Sequence, residues 1–221
     1  MSTIFVPTND PNEWRKRLKQ PERQWKPGYS AYETARTWLA ASGFPPSFDQ
    51  LRAFGEPFAS LTPLITIPEH TVALPGGANS PTQADVWVLA SHEAGLASVA
   101  VEAKCEEGFG EPVSEWLVDA SPGKTTRIDY VTRLLGLSRA NVLLTRYQLL
   151  HRAAGAVIEA GRFRANVAVI AVQSFSTAAT GFGDFDRFVR LFVPNTPAAA
   201  NTPLLLGTRN GIALYAVWVQ G

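Results

Sequence analysis

Residues 166–172 (Asn-Val-Ala-Val-Ile-Ala-Val) form a run of strand length in which six apolar residues follow Asn166 without interruption. Such a run is typical of a strand that is buried on both faces, because a half-exposed strand alternates apolar and polar residues. Both faces of the sheet that contains this strand must then be covered by other elements. The run therefore predicts a sheet with helices packed on its two faces.

The remaining sequence periodicity supplies the other elements of this sheet and its helices. Helices are predicted over 30–41, 48–55, 114–118, 126–135, 138–160 and 184–192, and 138–160 has the clearest helical period. Strands are predicted over 64–67, 71–74, 85–90, 98–105, 204–206 and 212–219. This order predicts an α/β (α+β) fold with a central mixed sheet flanked by helices.

The N-terminal part of the chain differs in composition from the rest. Residues 1–28 are polar, basic and proline-containing, and they include Trp14 and Trp25. This segment is predicted to be an arm that packs on the main domain through these two tryptophans. The rest of the chain, 29–221, is of a length typical of a single domain.

Charge is unevenly distributed, although the net charge is only +1. Between 85 and 119 there are eight acids and one base, and between 127 and 190 there are nine arginines and four acids. An acidic centre beside a basic flank suits a metal site next to a phosphate-binding surface, and ordinary solvated faces are the alternative interpretation. The single cysteine, Cys105, excludes an internal disulfide and favours a reducing compartment. The absence of a signal-like or membrane-length apolar run adds the expectation of a cytoplasmic protein without membrane contact.

The residues with the most chemical information lie on two neighbouring predicted strands. Because strand side chains alternate between faces, Glu102 and Lys104 share one face. A tight turn at 94–95 predicts that Asp85 pairs with Lys104 and that Trp87 pairs with Glu102. Asp85, Glu102 and Lys104 are therefore expected to converge, and a slip by one residue would move Asp85 to the opposite face.

This trio has the side chains that phosphodiester cleavage requires. The carboxylates of Asp85 and Glu102, with the carbonyl of Ala103, are oxygen ligands of the kind that Mg²⁺ (or Mn²⁺) prefers. A bound metal ion lowers the pKa of its water, and Lys104 can orient that water or stabilise developing charge. The alternative is a surface ion pair between Asp85 and Lys104, which contributes little to stability.

The arrangement of Asp85 and Glu102-Ala103-Lys104 resembles that of the PD-(D/E)XK nuclease superfamily, whose members have a restriction-endonuclease-like core. The resemblance spans 30–175 and implies an αβββαβ core. It also implies that Asp85 and Glu102 are metal ligands, that Lys104 is the catalytic amine, and that DNA or RNA is cleaved with Mg²⁺. The amino-acid sequences of 102–110 and 146–152 are similar to those of a bacterial branch of that superfamily. One departure is Ala84, which stands where the family name has proline.

The resemblance also points to residues on two helices. Some members use an acid from the first helix, for which Glu33 is the candidate, although Ser30 and Glu33 also match a capping box. Some members place a glutamine on the second core helix, where Gln148 stands here. Gln148, His151 and Arg152 are candidates for contacting phosphate or orienting the metal site. Their alternative role is the polar face of an amphipathic helix.

Two classes of function follow from these observations. The first is a Mg²⁺-dependent phosphodiesterase of endonuclease type, acting through Asp85, Glu102 and Lys104. The second is a non-catalytic binding module that retains the nuclease fold. The low net charge and the acids at 106, 107 and 111 favour this second class, because a dense acidic surface repels nucleic acid. A hydrolase of another phosphorylated substrate and a homodimeric assembly are left open.

Overall fold

The computed structural model of this protein describes residues 10–77 and 81–221. Its centre is a six-stranded mixed sheet with the strand order β1-β2-β3-β4-β6-β5. The β1–β2, β2–β3 and β5–β6 pairs are antiparallel, whereas β3–β4 and β4–β6 are parallel. The strands are β1 (Thr62–Val72), β2 (Thr82–His92), β3 (Gly95–Lys104), β4 (Val167–Ser174), β5 (Leu204–Arg209) and β6 (Ile212–Gln220). The predicted mixed sheet is confirmed.

Helices cover both faces of this sheet, as predicted. They are α1 (Pro11–Arg15), α2 (Pro21–Gln24), α3 (Ser30–Ala40), α4 (Val113–Trp116), α5 (Pro122–Leu135), α6 (Tyr147–Arg162) and α7 (Phe182–Arg190). Two 3₁₀ helices span Pro46–Phe54 and Arg139–Val142. In the described parts of the chain, no helix is long and apolar enough to cross a membrane.

The apolar run at 166–172 lies where its composition requires, in the middle of the sheet. All eight residues of β4 are buried. Val169 and Ala171 belong to a core beneath α1, α3 and the 3₁₀ helix Pro46–Phe54. Ala168 and Ile170 belong to a larger core beneath α5, α6 and α7. The alternate residues of one strand therefore fill two separate cores, which explains why all four of the side chains at 168–171 are apolar.

Two predicted strands, 64–67 and 71–74, are in fact one. Strand β1 runs through Pro68, the residue directly after the predicted strand 64–67. In the described sheet β1 pairs only with β2 and is an edge strand. Proline is tolerated in an edge strand because one side of the strand has no neighbour, so no hydrogen bond between strands needs an N–H on that side.

The predicted helix over 138–160 was wrong at its start, because α6 begins at Tyr147. The preceding residues have other backbone partners: the Ser114 N–H donates to the Leu143 carbonyl, and the Tyr147 N–H donates to the Glu111 carbonyl. The Ser138 hydroxyl also accepts from the Asn141 N–H and caps the short 3₁₀ turn. The bonds of Leu143 and Tyr147 to the distant segment 111–114 outcompete the local helical period.

The capping box predicted for α3 was also wrong. Tyr29 is the N-cap, and no side chain caps the helix. The Glu33 carboxylate instead accepts from the Gly28 N–H at 3.0 Å and pairs with Arg36 at 3.0 Å. Glu33 therefore ties α3 to the segment that precedes it.

The N-terminal arm contributes α1 and α2, while its residues 1–9 lie outside the described part of the chain. Trp14 is fully buried within the core beneath α3. The ring of Trp25 packs edge-on against Tyr32 at 5.5 Å between centroids. Both tryptophans thus contact the main body of the protein.

Candidate functional site

The hairpin of β2 and β3 has a different register from the predicted one. His92 pairs with Gly95 and Val86 pairs with Val101, so the turn is at 93–94 rather than 94–95. Trp87 therefore faces Ala100, and the predicted pairs of Trp87 with Glu102 and of Asp85 with Lys104 are wrong. Because each partner moves by two residues, Asp85 still lies on the same side of the sheet as Glu102 and Lys104.

Asp85 joins the two strands through its side chain. Its Oδ2 accepts a hydrogen bond from the Ala103 N–H at 2.6 Å. The N–H and C=O of one strand residue point to the same side, so the Ala103 carbonyl is also directed toward β2. Burial and the negative charge of Glu102 raise the pKa of Asp85 to about 7. The Asp85 carboxyl thus sits at the site in an environment that disfavours its charge.

Glu102 is the centre of the site's hydrogen bonds, and its side chain is only 2% exposed. Its Oε1 accepts from Lys104 Nζ at 2.8 Å and from Gln148 Nε2 at 2.5 Å, and its Oε2 accepts from Arg152 Nε at 2.5 Å. Burial alone would raise the pKa of Glu102, but Arg152 and Lys104 hold it below its ordinary value. Glu102 is therefore a buried anion between two buried cations.

Lys104 is held as a cation by the same neighbours. Burial opposes its charge, yet Glu102 and Asp85 raise the pKa of Lys104 above its ordinary value. The ammonium also lies 5.1 Å from the centroid of the Phe109 ring, within cation–π range. The predicted face of β3 therefore carries a buried ion-pair network rather than an exposed surface ion pair.

Helix α6 contributes three of the predicted residues. Gln148 and Arg152 lie one turn apart and both contact Glu102, so they orient its carboxylate rather than forming a solvated polar face. His151 Nδ1 lies 2.7 Å from Thr82 Oγ1. The pKa of His151 is held well below its ordinary value by burial and by nearby cations, first among them Arg152. His151 is therefore neutral.

Glu69 is a member of this group that the sequence did not indicate. It lies between the pairs Pro68–Val86 and His70–Ala84, a position opposite Asp85. Burial and the charge of Asp85 raise the pKa of Glu69 to about 8. Its backbone has φ +53°, which is uncommon for a residue with a side chain. Glu69 falls in the gap between the predicted strands 64–67 and 71–74, so the sequence does not indicate that it lies beside Asp85.

These side chains meet at a cavity of about 700 Å³, a size in the range of small-molecule and cofactor sites. Its lining includes Glu69, Asp85, Glu102, Lys104, Gln148 and Arg152. Glu33 is not among the lining residues, and its carboxylate is engaged with Gly28 and Arg36. The cavity thus brings together all the predicted site residues except Glu33.

The donor set fits a magnesium ion only in part. Within 10–77 and 81–221, no group of three His, Cys, Asp or Glu side chains is arranged to hold a metal ion. Mg²⁺ commonly takes one or two carboxylates and completes its shell with waters and substrate oxygens. Asp85, Glu102 and the Ala103 carbonyl meet that smaller requirement, provided that Glu102 shares its oxygens with Lys104, Gln148 and Arg152.

Comparison with protein families assigns the chain to one group. Residues 7–221 match a family described as a domain of unknown function (DUF6946), so the protein belongs to that family. The comparisons with curated proteins and with solved structures found no match. The family description states no activity, and the function is therefore inferred from the geometry of the site.

Proposed function

We propose that this protein is a metal-dependent nuclease with a restriction-endonuclease-like core that hydrolyses phosphodiester bonds of DNA or RNA. The observation that carries the proposal is the convergence of Asp85, Glu102 and Lys104 on one cavity. With α4, α5 and the two 3₁₀ helices as additions, the element order α3, β1, β2, β3, α6, β4 also follows the αβββαβ order of the PD-(D/E)XK superfamily. The first feature depends on tertiary structure and the second on the order of elements, so neither rests on the short Glu-x-Lys pattern alone.

The proposal assigns a role to each of these residues. Asp85, Glu102 and the Ala103 carbonyl are the groups that would hold Mg²⁺ or Mn²⁺, and the bound ion would supply a water of lowered pKa and neutralise charge on the phosphate. Lys104 keeps its positive charge because Glu102 lies 2.8 Å away, and it stabilises the same developing charge. Gln148 and Arg152 fix the position of the Glu102 carboxylate, and His151 contacts the substrate.

The test is a cleavage assay on DNA and RNA in Mg²⁺, with and without EDTA. Asp85→Asn retains an oxygen that can accept from the Ala103 N–H, so the fold is expected to persist. Because the substitution removes the charge of a metal ligand, cleavage is expected to fall at least about 100-fold, the order of loss for a disrupted metal site. Lys104→Met should cause a loss of about 100-fold or more. Asp49→Asn is the control, because it removes an acid from an exposed ion pair with Arg52. Mg²⁺-dependent cleavage that survives Lys104→Met would refute the proposal.

A non-catalytic binding module is the second candidate, and the contacts of Glu102 favour it. Both carboxylate oxygens already accept hydrogen bonds from Lys104, Gln148 and Arg152, so the network is complete without a metal ion. Calorimetric titration with Mg²⁺ or Mn²⁺ separates the two candidates. Binding that is lost in Asp85→Asn supports the nuclease, and no binding to the wild type supports the second candidate.

The location of the protein is a further part of the proposal. Cys105 is the only cysteine of the chain, and it is buried and free. Burial and nearby acids, of which Glu107 contributes most, raise the pKa of its thiol to about 11, so the reactive thiolate is scarce. We place the protein in the cytoplasm, in keeping with a chain that has no need of an oxidising compartment.

A further inference from the structure

A second cavity, of about 100 Å³, adjoins the carboxylate site. The two cavities share Lys19, Pro81, Tyr147 and His151 in their linings. The smaller cavity is also lined by Leu74, Thr82 and Arg127, and no described carboxylate lines it. Its polar wall thus consists of two cations, a phenol, an imidazole and a hydroxyl.

Arg127 places a buried positive charge at this wall. The residue is 8% exposed, and its Nε and Nη2 donate to the carbonyls of Pro75 and Gly77, each at 3.2 Å. Among the described residues it has no carboxylate partner, and its other polar neighbour is the neutral hydroxyl of Tyr147. A buried guanidinium that is bonded only to neutral carbonyls retains an uncompensated charge, which an anion can neutralise.

Tyr147 adds a hydroxyl that lies near the Arg127 guanidinium but has no partner at hydrogen-bond geometry among the described residues. The residue is 9% exposed, and its Oη is buried without a hydrogen bond within the described parts of the chain. Burial raises the pKa of Tyr147 to about 12, so the phenol stays protonated and can donate. Its ring is fixed by stacking on Trp116 at 3.9 Å between centroids. A buried polar group that lacks a partner calls for an explanation, and a bound ligand is one.

The hydrogen-bond network leaves His151 with a donor as well. Arg152 Nη1 lies 3.0 Å from Thr82 Oγ1 and 3.3 Å from His151 Nδ1. A guanidinium can only donate, so Nδ1 acts as an acceptor and the proton of the neutral ring is on Nε2. His151 therefore contributes Nε2–H, and its lining position borders both cavities.

We infer that the small cavity is a phosphate subsite in which Lys19, Arg127, Tyr147 and His151 bind one tetrahedral oxyanion. A wall of donors and cations without a lining carboxylate is complementary to phosphate oxygens. A cavity of about 100 Å³, a small fraction of the larger one, suits a single phosphate group and not a nucleoside. The remainder of a ligand would occupy the larger cavity, where the proposed function places the scissile bond. Only that last placement rests on the proposed function.

The test is a titration of the full chain with inorganic phosphate in EDTA, followed by calorimetry and by thermal unfolding. We expect saturable binding that raises the melting temperature of the wild type. Lys19→Met removes an exposed cation and should weaken binding about tenfold, as expected for one charge-assisted hydrogen bond. Tyr147→Phe removes a buried hydroxyl that neighbours Arg127 and should weaken binding severalfold. Lys16→Met is the control, because it makes the same charge change on the same arm away from both cavities.

Two arms of the experiment identify the source of the phosphate. A dinucleotide with a 5′-phosphate should displace inorganic phosphate if the site takes a terminal monoester, and a dinucleotide without it should do so if the site takes an internal diester. Absence of saturable phosphate binding by the wild type, or equal binding by Lys19→Met, Tyr147→Phe and Lys16→Met, would overturn the inference. Because the titration contains no divalent cation and follows no cleavage, its result is independent of the proposed nuclease activity.

Discussion

Replacing Glu102 by glutamine should cause a large loss of stability. All three side chains that contact its carboxylate are donors: Lys104, Gln148 and Arg152. Glutamine offers one oxygen and one NH₂ group, so at least one of these donors would face another donor. The substitution also leaves Lys104 and Arg152, which are 5% and 8% exposed, without their shared anion.

The size of the loss follows from the burial of these groups. Removing one partner of a buried ion pair costs about 3–5 kcal/mol. Asp85 offsets part of this, because its pKa is raised by burial and by the charge of Glu102 and should fall when that charge is removed. We therefore expect a loss of about 3 kcal/mol, which corresponds to a decrease of about 6–12 °C in melting temperature for a chain of this length.

Thermal and urea denaturation of Glu102→Gln, compared with Asp49→Asn, would measure this loss. The control makes the same chemical change in an ion pair of 3.7 Å whose side chains are both more than half exposed, a contact worth less than about 1 kcal/mol. The double variant Glu102→Gln/Arg152→Met should recover part of the loss, because it removes one of the unpaired cations. A melting temperature for Glu102→Gln equal to that of Asp49→Asn would refute the ion-pair argument.

Three further predictions concern pH, the metal ion and the second core. The raised pKa values of Asp85 (about 7) and Glu69 (about 8) mean that the folded protein retains protons that the unfolded chain has released. In the unfolded chain His151 still carries about half a proton at pH 6.5, and its loss opposes the fall by at most about half of one carboxyl's contribution. Urea denaturation should therefore show stability falling from pH 6.5 to 8, by at most about 1.4 kcal/mol per pH unit for each carboxyl. A rise would contradict this sign. Saturating Mg²⁺ should raise the melting temperature in a concentration-dependent way that EDTA reverses, and an unchanged melting temperature would count against the metal site. Trp38→Phe should cost about 1–3 kcal/mol in urea denaturation, because Gln173 Oε1 loses its buried donor at 2.9 Å, and a neutral effect would show that this bond is not needed.

The sheet could be predicted because its pattern is local. The apolar run of β4 and the alternation of β3 each lie within one segment of the chain, and both predict a strand correctly. The run also predicts the burial of β4, whereas β3 is buried on both faces although Glu102 and Lys104 are charged. The register of the β2–β3 hairpin depends on the turn, which the sequence placed one residue too far along the chain. The side of the sheet was still predicted correctly, since the error of two in partner position preserves the face.

The missed residues depend on contacts between distant segments. Glu69 follows a proline that is compatible with a strand only because β1 lies at the edge of the sheet, and no local pattern indicates an edge. Arg127 and Lys19 reach the small cavity from α5 and from the arm, which are more than 100 residues apart in sequence. The start of α6 was misplaced for a similar reason, because residues 143–147 bond to the distant segment 111–114.

The first turns of α6 connect the two cavities, and their spacing explains how. Gln148 and Arg152 are four residues apart and contact Glu102. Tyr147 and His151 are also four residues apart, on the adjacent row of the helix surface, and they line the small cavity. One stretch of helix therefore holds the carboxylate of one site and the donors of the other at a fixed separation. A phosphate group seated in the small cavity would consequently set the distance at which the rest of its ligand meets Asp85 and the residues around it.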